Sequence, residues 1–301
     1  MVVLGLHLDT HDSGAALCVD GQVVAAANEE RFSRLKMDGN PPWQSMAAVL
    51  QLGGVHPRDL DVVAFSGLRP GSGKYWNNFR QQWNRVTFTR GRYLKSFYTF
   101  RSHDRGRLFR QVGLAALAET RRAIHAIAAL LAELKRQGFA GEVAFVDHDE
   151  AHAATAYYTS GMPECFVAVI EGSSFTNTCS FWRGAAGRLE KLGEVPLPHS
   201  PGRYYEVVTR ILGFHPKKHG GKITGLAAGG DPSILAPVVN RLLWAEGKTM
   251  KVSPELFVLH EEYFVRGKTL PAVFAGHSRE DIAAAFQRRL EEVCVQVLGA
   301  W

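Results

Sequence analysis

The sequence is poor in cysteine and has no long apolar run. Four cysteines occur in 301 residues, and no two of them form a CxxC pair. This excludes a disulfide-stapled miniprotein and indicates reduced thiols. No run approaches the roughly 18 apolar residues that a membrane-spanning helix needs. The first nine residues carry no basic segment, so they predict a β-strand and not a signal peptide. We therefore expect a cytoplasmic protein without membrane association.

Acidic residues are nearly missing from one stretch of the chain. Residues 69–110 contain eleven Lys or Arg, ten aromatic residues and one acid, Asp104. The net charge of this stretch is +10, compared with +6 for the whole chain, so the remainder is mildly acidic. Three interpretations stay open. The stretch is a helical insertion over 68–111 with its aromatics packed inward, a lid over an anionic substrate, or a surface for single-stranded nucleic acid. Nucleic acid is the least favoured of the three.

The composition, 46% hydrophobic and 21% charged, is that of a globular protein with a large core. Residues 2–28 follow the order strand, acidic polar loop, strand, Asp-Gly turn, strand, and residues 166–195 follow a similar order. The carboxylates that end the two leading strands are Asp9 and Glu171. Together with helices between and after the two segments, this pattern predicts an α/β fold with a duplicated β-meander. A chance likeness of two meanders is the alternative.

The strongest local signal for chemistry is a pair of histidines, His148 and His152, which follows an apolar strand. At a spacing of four on a helix, both imidazoles lie on one face, as a divalent metal ion requires. Glu171, at the end of the next strand, is a candidate third ligand. The HExxH order of a metalloprotease is missing, and the alternative is an unrelated pair of surface histidines.

Two polar loops are further candidates for binding. His11 and Asp12 lie between two predicted strands, in a turn whose amides can hold phosphate or simply close an Asx turn. Residues 220–232 are rich in glycine, which predicts a loop instead of a regular helix. Lys222 in this segment suits a phosphate or carboxylate, although the spacing does not match a Walker A loop. A ligand loop and a flexible connector both stay open.

In combination, these segments resemble the amino-terminal region of O-carbamoyltransferases of the nodulation and antibiotic-tailoring type. That family joins an actin/Hsp70-like domain, related to the domain that makes threonylcarbamoyl-adenosine in tRNA, to a carboxyl-terminal YrdC-like domain. The actin-like domain has a ribonuclease H-like fold, whose duplicated meander agrees with the predicted repeat. The resemblance covers essentially all 301 residues. It is carried by residues 4–6, 12–17, 20–21, 28–36, 147–154, 213–214, 221–227 and 278–287.

The resemblance implies carbamoyl transfer to a hydroxyl of a small-molecule acceptor, such as a natural product or a sugar. The carbamoyl-adenylate donor would be made from carbamoyl phosphate and ATP by the YrdC-like domain. A divalent metal, iron in the family, would be held by the histidine pair and Glu171. The residues with an implied role are His148, His152 and Glu171 for the metal, His11 and Asp12 for catalysis, and Lys36, Lys222 and Gly225 for the adenylate.

The sequence departs from the family pattern at several positions. Glu171 replaces the usual Asp, Asp149 replaces the second of two adjacent histidines, and Gly220 replaces an acid. The chain ends where the family continues into a nucleotide-binding segment and the YrdC-like domain, so we expect an incomplete second lobe and a need for a partner domain. Two other functions stay open, namely an actin-like ATPase or sugar kinase, and a non-catalytic binding module.

Overall fold

The computed structural model describes residues 1–8, 11–67, 121–172, 177–197, 199–256, 259 and 267–301. The basic insertion predicted over 68–111 lies outside the described residues. The chain divides into two compact units. Among the described residues, the first unit contains 1–67 and 121–155, and the second contains 156–256, 259 and 267–301, apart from the gaps given above. Each unit is described by itself below.

The first unit is built on a five-stranded mixed sheet in the order β3-β2-β1-β4-β5. Its strands are β1 Val2–His7, β2 Gly14–Val19, β3 Gln22–Asn28, β4 Val62–Ser66 and β5 Glu142–Val146. The first three strands are antiparallel neighbours, whereas β1, β4 and β5 run parallel. This order and these directions are those of a ribonuclease H-like sheet, which confirms the predicted fold class.

The hairpin between β2 and β3 is made by the predicted Asp-Gly turn. Asp20 and Gly21 have φ values of 48° and 81°. Positive φ at both central residues is the type I′ geometry, whose twist matches that of the flanking strands. The turn therefore fixes the register that pairs Val19 with Gln22.

Helices cover the sheet of the first unit. They are α1 Glu30–Ser33, α2 Trp43–Gly53, α3 at residues 121–136 and α4 His148–Ser160, whose last turn belongs to the second unit. Apolar side chains of the sheet, α2 and α3 form one core. Its fully buried members include Leu4, Leu17, Val49, Val63, Leu130 and Leu134. Ile127, Leu130 and Leu134 of α3 lie at helical spacing and are buried in this core, which stabilises the helix.

The first glutamate of the Glu-Glu-Arg-Phe segment has a structural role. Glu29 is 3% exposed. One of its carboxylate oxygens accepts a hydrogen bond from the Gln44 backbone N–H at 3.0 Å, and the other accepts from the N–H and the hydroxyl of Ser45, both at 2.8 Å. These N–H groups belong to the first turn of α2, where a negative charge also meets the positive end of the helix dipole. Glu29 therefore anchors the start of α2.

The second unit contains the second meander. Its strands β6 Glu164–Ile170, β7 Asn177–Ala185 and β8 Arg188–Pro196 pair antiparallel in the order β6-β7-β8. A separate hairpin is formed by β9 Leu243–Glu246 and β10 Thr249–Val252. The helices are α5 Pro201–Ile211, α6 Gly220–Ala227, α7 Ala236–Leu242 and α8 Arg279–Gly299. Among the described residues of this unit, no parallel strand joins the meander, and the incomplete second lobe stays a prediction.

Two predictions in this unit were wrong in part. Residues 220–227 form helix α6 although they contain three glycines, because burial of Ile223 in the core outweighs the low helix propensity of glycine. The apolar pattern of residues 234–244 predicts one helix over this range, but α7 spans only Ala236–Leu242, and Leu243 and Trp244 are already in β9.

Of the described helices, none is both long enough and apolar enough to cross a membrane.

Candidate metal centre and neighbouring loops

Three parallel strands of the first unit end side by side. In the paired registers, His7 of β1 lies opposite Ser66 of β4, and Ser66 lies opposite Val146 of β5. The chain then continues from Val146 through Asp147 into His148, the first residue of α4. The carboxyl ends of parallel strands are the usual place for ligands in α/β sheets. The candidate site therefore begins at this edge.

The predicted histidine pair is brought together. The sequence predicts a helix over residues 150–158, and helix α4 starts two residues earlier, at His148. His148 and His152 therefore lie one turn apart on the same helix. Their Nε2 atoms are 3.2 Å apart and their ring centroids 4.7 Å apart. His148 is half-buried and His152 is exposed.

The separation of the two Nε2 atoms fits a shared metal ion. With each nitrogen about 2.1 Å from an ion, a separation of 3.2 Å gives an angle of about 100° at the ion. This angle lies between the octahedral and the tetrahedral values. An N–H···N hydrogen bond between two neutral rings has a similar length, so the geometry fits both arrangements.

The carboxylates around the histidine pair differ in role. Asp147 accepts a hydrogen bond from the Asp149 backbone N–H at 3.0 Å, and its own carbonyl accepts from the Ala151 N–H. These contacts make Asp147 the residue that caps the start of α4. Asp149 is 2% exposed, whereas Glu150 is exposed.

Glu171 belongs to the second unit, where it directly follows β6. Its backbone N–H donates to the Thr178 carbonyl at 2.8 Å. The next residue, Gly172, accepts a hydrogen bond from the Ser200 hydroxyl at 2.6 Å. The sheet and the start of α5 therefore fix the backbone at this strand end, and the role of Glu171 as a metal ligand stays a prediction.

His11 and Asp12 form a contact pair in the first unit. His11 Nδ1 lies 2.8 Å from Asp12 Oδ2, and the two side chains are 42% and 43% exposed. Asp12 adopts a left-handed backbone with φ of 57°, and the next residue, Ser13, is buried with its hydroxyl donating to the Asp38 carbonyl. A carboxylate on one ring nitrogen fixes the tautomer, so the other nitrogen is left to exchange a proton. The structure thus brings the two side chains together, and their role in catalysis stays a prediction.

The residues predicted to face the adenylate are exposed. Lys36 lies between α1 and α2 in the first unit, and Lys222 and Gly225 lie on α6 in the second. Lys222 Nζ is 5.2 Å from the centroid of the Phe214 ring, and the Arg279 guanidinium carbon is 4.8 Å from the same centroid. Both cations are thus held over one aromatic ring, which concentrates positive charge beside α6.

A polar cluster beside Lys222 was missed by the sequence analysis. The Tyr205 hydroxyl lies 3.0 Å from the Thr224 hydroxyl and donates to the Gln287 side-chain oxygen. Burial raises the pKa of Tyr205 above its usual value. Thr224 and Gln287 lie in segments that carry the family resemblance, but Tyr205 has no sequence signal beyond its place on an amphipathic helix.

His7 and Ser66 were also missed. The His7 Nδ1 lies 2.8 Å from Ser66 Oγ, and the centroid of its ring lies 5.9 Å from that of His148. The only signal in the sequence is a polar residue at the end of an apolar strand. Fifty-nine residues separate His7 from Ser66, so no short motif connects them.

A family model described as the amino terminus of carbamoyltransferases matches residues 2–300. A curated relative, the uncharacterized protein sll1178 of Synechocystis sp., is 28% identical and covers 98% of this chain and 47% of its own length. The nodulation protein NolNO of Sinorhizobium fredii is 26% identical and covers 96% of this chain and 38% of its own length. The chain thus spans less than half the length of both relatives.

Solved structures give weaker likenesses. The (R)-2-hydroxyglutaryl-CoA dehydratase component A of Acidaminococcus fermentans is 12% identical with a TM-score of 0.45, over 100% of this chain and 79% of that one. YeaZ from Pseudomonas aeruginosa is 18% identical with a TM-score of 0.35, over 65% of this chain and 67% of that one.

Proposed function

The chain belongs to the family of carbamoyltransferase amino-terminal domains, and from this premise we propose that it carries out O-carbamoyl transfer. The donor is carbamoyl-adenylate, and the acceptor is a hydroxyl of a small molecule such as a natural product or a sugar. The observation that carries the proposal is the histidine pair, with its Nε2 atoms 3.2 Å apart, at the carboxyl ends of three parallel strands.

His148, His152 and Glu171 are the residues that would hold a divalent metal in this proposal. Imidazole and carboxylate ligands suit ions such as iron or zinc, and the angle derived from the two Nε2 atoms is compatible with both. When bound, such an ion polarises a carbonyl group and stabilises developing negative charge. The family resemblance favours iron.

His11 is the proposed base for the acceptor hydroxyl. With the hydrogen of Nδ1 donated to Asp12, Nε2 carries the lone pair and accepts the proton of the hydroxyl. The acceptor oxygen then forms a bond to the carbamoyl carbon, and the bond from that carbon to the adenylate oxygen breaks. The leaving AMP takes the bonding electron pair. Lys36, Lys222 and Gly225 are assigned to the adenylate, whose negative charge the two lysines complement.

The proposed reaction needs a supply of carbamoyl-adenylate. Carbamoyl-adenylate is formed from carbamoyl phosphate and ATP, and the family resemblance assigns that step to a YrdC-like domain. We therefore propose that this chain works together with such a domain, supplied by the same polypeptide or by a partner.

An actin-like ATPase or kinase is the second candidate, because the sheet of the first unit has the ribonuclease H-like order common to those enzymes. Phosphoryl transfer needs no pair of imidazoles at this edge, however, so the histidines favour carbamoyl transfer. The third function, binding through the basic stretch at residues 69–110, lies outside the described residues.

The test combines this chain with a YrdC-like domain, carbamoyl phosphate, ATP and a panel of alcohols, and follows the products by mass. We expect a carbamoylated alcohol that depends on this chain and is lost in His148→Ala. The matched control is His125→Ala, because His125 is an exposed histidine on α3 of the same unit. Phosphorylated alcohols without any carbamoylated product would support the kinase instead.

A further inference from the structure

We propose that Ser13 is a positioning residue that joins the loop of His11 and Asp12 to the segment that carries Lys36. This inference rests on the proposed function, since it assumes that His11 is the base and that Lys36 binds the adenylate. The family resemblance includes Ser13 in a matching segment but assigns it no role. All of these residues belong to the first unit.

Ser13 holds both ends of the segment that carries Lys36. At the first end, just after β3, the Glu29 backbone N–H donates to the Ser13 carbonyl at 2.8 Å. At the second end, the Asp38 carbonyl accepts two hydrogen bonds from Ser13, one from its N–H at 2.8 Å and one from its hydroxyl at 3.1 Å. Residues 30–37 therefore leave the sheet and return to it at the same serine.

The two hydrogen bonds from Ser13 to the Asp38 carbonyl, which we call the Ser13–Asp38 contact, are shielded from water. Ser13 is 0% exposed and Asp38 is 6% exposed. Water therefore cannot readily replace a donor that is removed. A carbonyl oxygen has two lone pairs, and Ser13 provides a donor for each of them. The contact thus fixes the direction of this carbonyl as well as its distance from the loop.

Both chains that meet at this contact have an unusual backbone. Asp12, directly before Ser13, has a φ of 57°, and Met37, directly before Asp38, has a φ of 60°. A left-handed backbone in a residue other than glycine costs free energy and persists where the surrounding contacts fix it. The Met37 N–H also donates to the Glu30 carboxylate at 2.9 Å. The Ser13–Asp38 contact therefore lies between two residues whose conformation has to be held.

The Ser13–Asp38 contact limits the movement of the proposed base relative to the proposed adenylate ligand. His11 lies two residues before Ser13, and Lys36 lies two residues before Asp38. A base accelerates a transfer only when it is correctly placed against the bound donor, and a displacement of about 1 Å can cost about 10²-fold in rate. Loosening the contact should therefore reduce the rate through His11 and weaken adenylate binding through Lys36.

The key variant is Ser13→Ala, which removes the hydroxyl donor and keeps the backbone donor. In the reconstituted transfer assay we expect kcat to fall about tenfold, less than the loss from a complete misplacement. In calorimetry with the chain alone, AMP should bind about three- to tenfold more weakly, because a displaced lysine makes a poorer contact with the phosphate.

The matched control is Ser45→Ala. Ser45 is also 0% exposed and its hydroxyl donates to Glu29 at 2.8 Å, but this contact anchors the start of α2. The two variants lose one buried hydrogen bond each, so their urea midpoints should fall by similar amounts. We expect kcat and the affinity for AMP to stay unchanged in Ser45→Ala only.

A second measurement needs neither a variant nor a substrate. Hydrogen exchange of the unchanged chain, followed residue by residue by NMR, compares the amides of Ser13 and Met37. If the loop and the segment open as one unit, the two protection factors should agree within about threefold. A difference of more than about tenfold would show separate openings and would overturn the proposal, and this measurement decides if Ser13→Ala does not fold.

The failure of this inference can be told apart from the failure of the proposed function. If the unchanged chain makes no carbamoylated alcohol, the proposed function is overturned together with the role of Ser13 in it. If transfer occurs and is lost in His11→Ala, while a folded Ser13→Ala keeps its kcat and its affinity for AMP, only the role of Ser13 is overturned. Equal decreases of kcat in Ser13→Ala and Ser45→Ala would also overturn it, since they would show a general effect of a lost buried hydrogen bond.

Discussion

The two meanders have the same strand order but differ in what surrounds their strand ends. In the first unit, β1 is extended by parallel strands, and the row of strand ends carries His7, Ser66 and then His148. In the second unit, β6 ends at Ile170, and the backbone of the next two residues, Glu171 and Gly172, packs against the start of α5. A Cβ on Gly202 would lie 2.5 Å from the Gly172 Cα. The first strand end thus presents several side chains for chemistry, whereas at the second the backbone is closed by packing and Glu171 is the candidate ligand.

The central strands of the two meanders also differ in how many of their residues are buried. The central strand of the second meander, β7, is buried at seven of its nine residues, from Asn177 to Trp182 and at Gly184. The corresponding strand β2 is buried at three of six. Substitutions at the strand ends of the first unit should therefore reduce binding and catalysis, while substitutions of packed residues in the second unit, apart from Glu171, Lys222 and Gly225, should mainly reduce stability. The predictions below test this division, beginning with the largest effect.

His11→Ala should reduce carbamoyl transfer in the reconstituted assay by about 10²–10⁴-fold, the usual contribution of a general base. The urea midpoint should stay unchanged, because the side chain is 42% exposed. Steady-state rates measured beside those of His125→Ala provide the comparison. A decrease of less than about tenfold would remove His11 from the proposed mechanism.

Phe286→Ala should lower the free energy of unfolding by about 3–5 kcal/mol, the usual cost of truncating a buried phenylalanine. The Phe286 side chain is fully buried and stacks on Tyr204 with ring centroids 4.7 Å apart. Val295→Ala on the same helix is the control, because Val295 is 70% exposed and should change stability by no more than about 0.5 kcal/mol. Equal effects of the two variants in urea unfolding would contradict the packing described for α8.

Gly202→Ala should destabilise the protein by about 1–3 kcal/mol, since the new methyl group meets the backbone of Gly172. Gly221→Ala is the matched control, because a Cβ there has open space and alanine favours the helix. Urea midpoints of the two variants should move in opposite directions. A neutral Gly202→Ala would show that the second strand end is not closed by α5.

Asp38→Asn should alter the response to acid, the smallest effect of the series. Hydrogen bonds from Ser33 and then from the Asn40 backbone hold the pKa of Asp38 below its usual value of 3.8. The stabilisation is therefore present above pH 3.8 and is lost as the pH falls through the lower pKa of the folded state. Between pH 5 and pH 2, the variant should lose less stability than the unchanged chain, as measured by urea midpoints. A larger loss in the variant would contradict this assignment.

Most of the first unit could be predicted from the sequence because its signals are local. The short apolar runs and the Asp-Gly turn predict β1 to β3. The pattern of residues 43–52, followed by two glycines, predicts a helix that stops there, and α2 ends at Gly53 with Gly54, at φ of 65°, as its cap. Residues 220–227 were predicted wrongly, because glycine content is a local property and the burial of Ile223 depends on the tertiary fold.

The candidate site also combines residues that local signals reveal with residues that only the tertiary fold brings together. The HxxxH spacing is visible in the sequence, since it depends on one helical turn. The place of His7 is not, because it depends on the register of β1, β4 and β5, which brings together residues far apart in the chain. Glu29 shows the opposite case, a residue within the family motif whose observed contacts are those of a buried helix anchor.

The central claim is that the strand ends of the first unit hold a metal ion through His148 and His152. The most direct measurement is the metal content of the purified chain and of His148→Ala, combined with Co²⁺ titration of the metal-free forms. We predict about one transition-metal ion bound per unchanged chain, no binding in His148→Ala, and equal urea midpoints for the two metal-free proteins. Equal binding by the two proteins, or no binding by the unchanged chain, would contradict the claim.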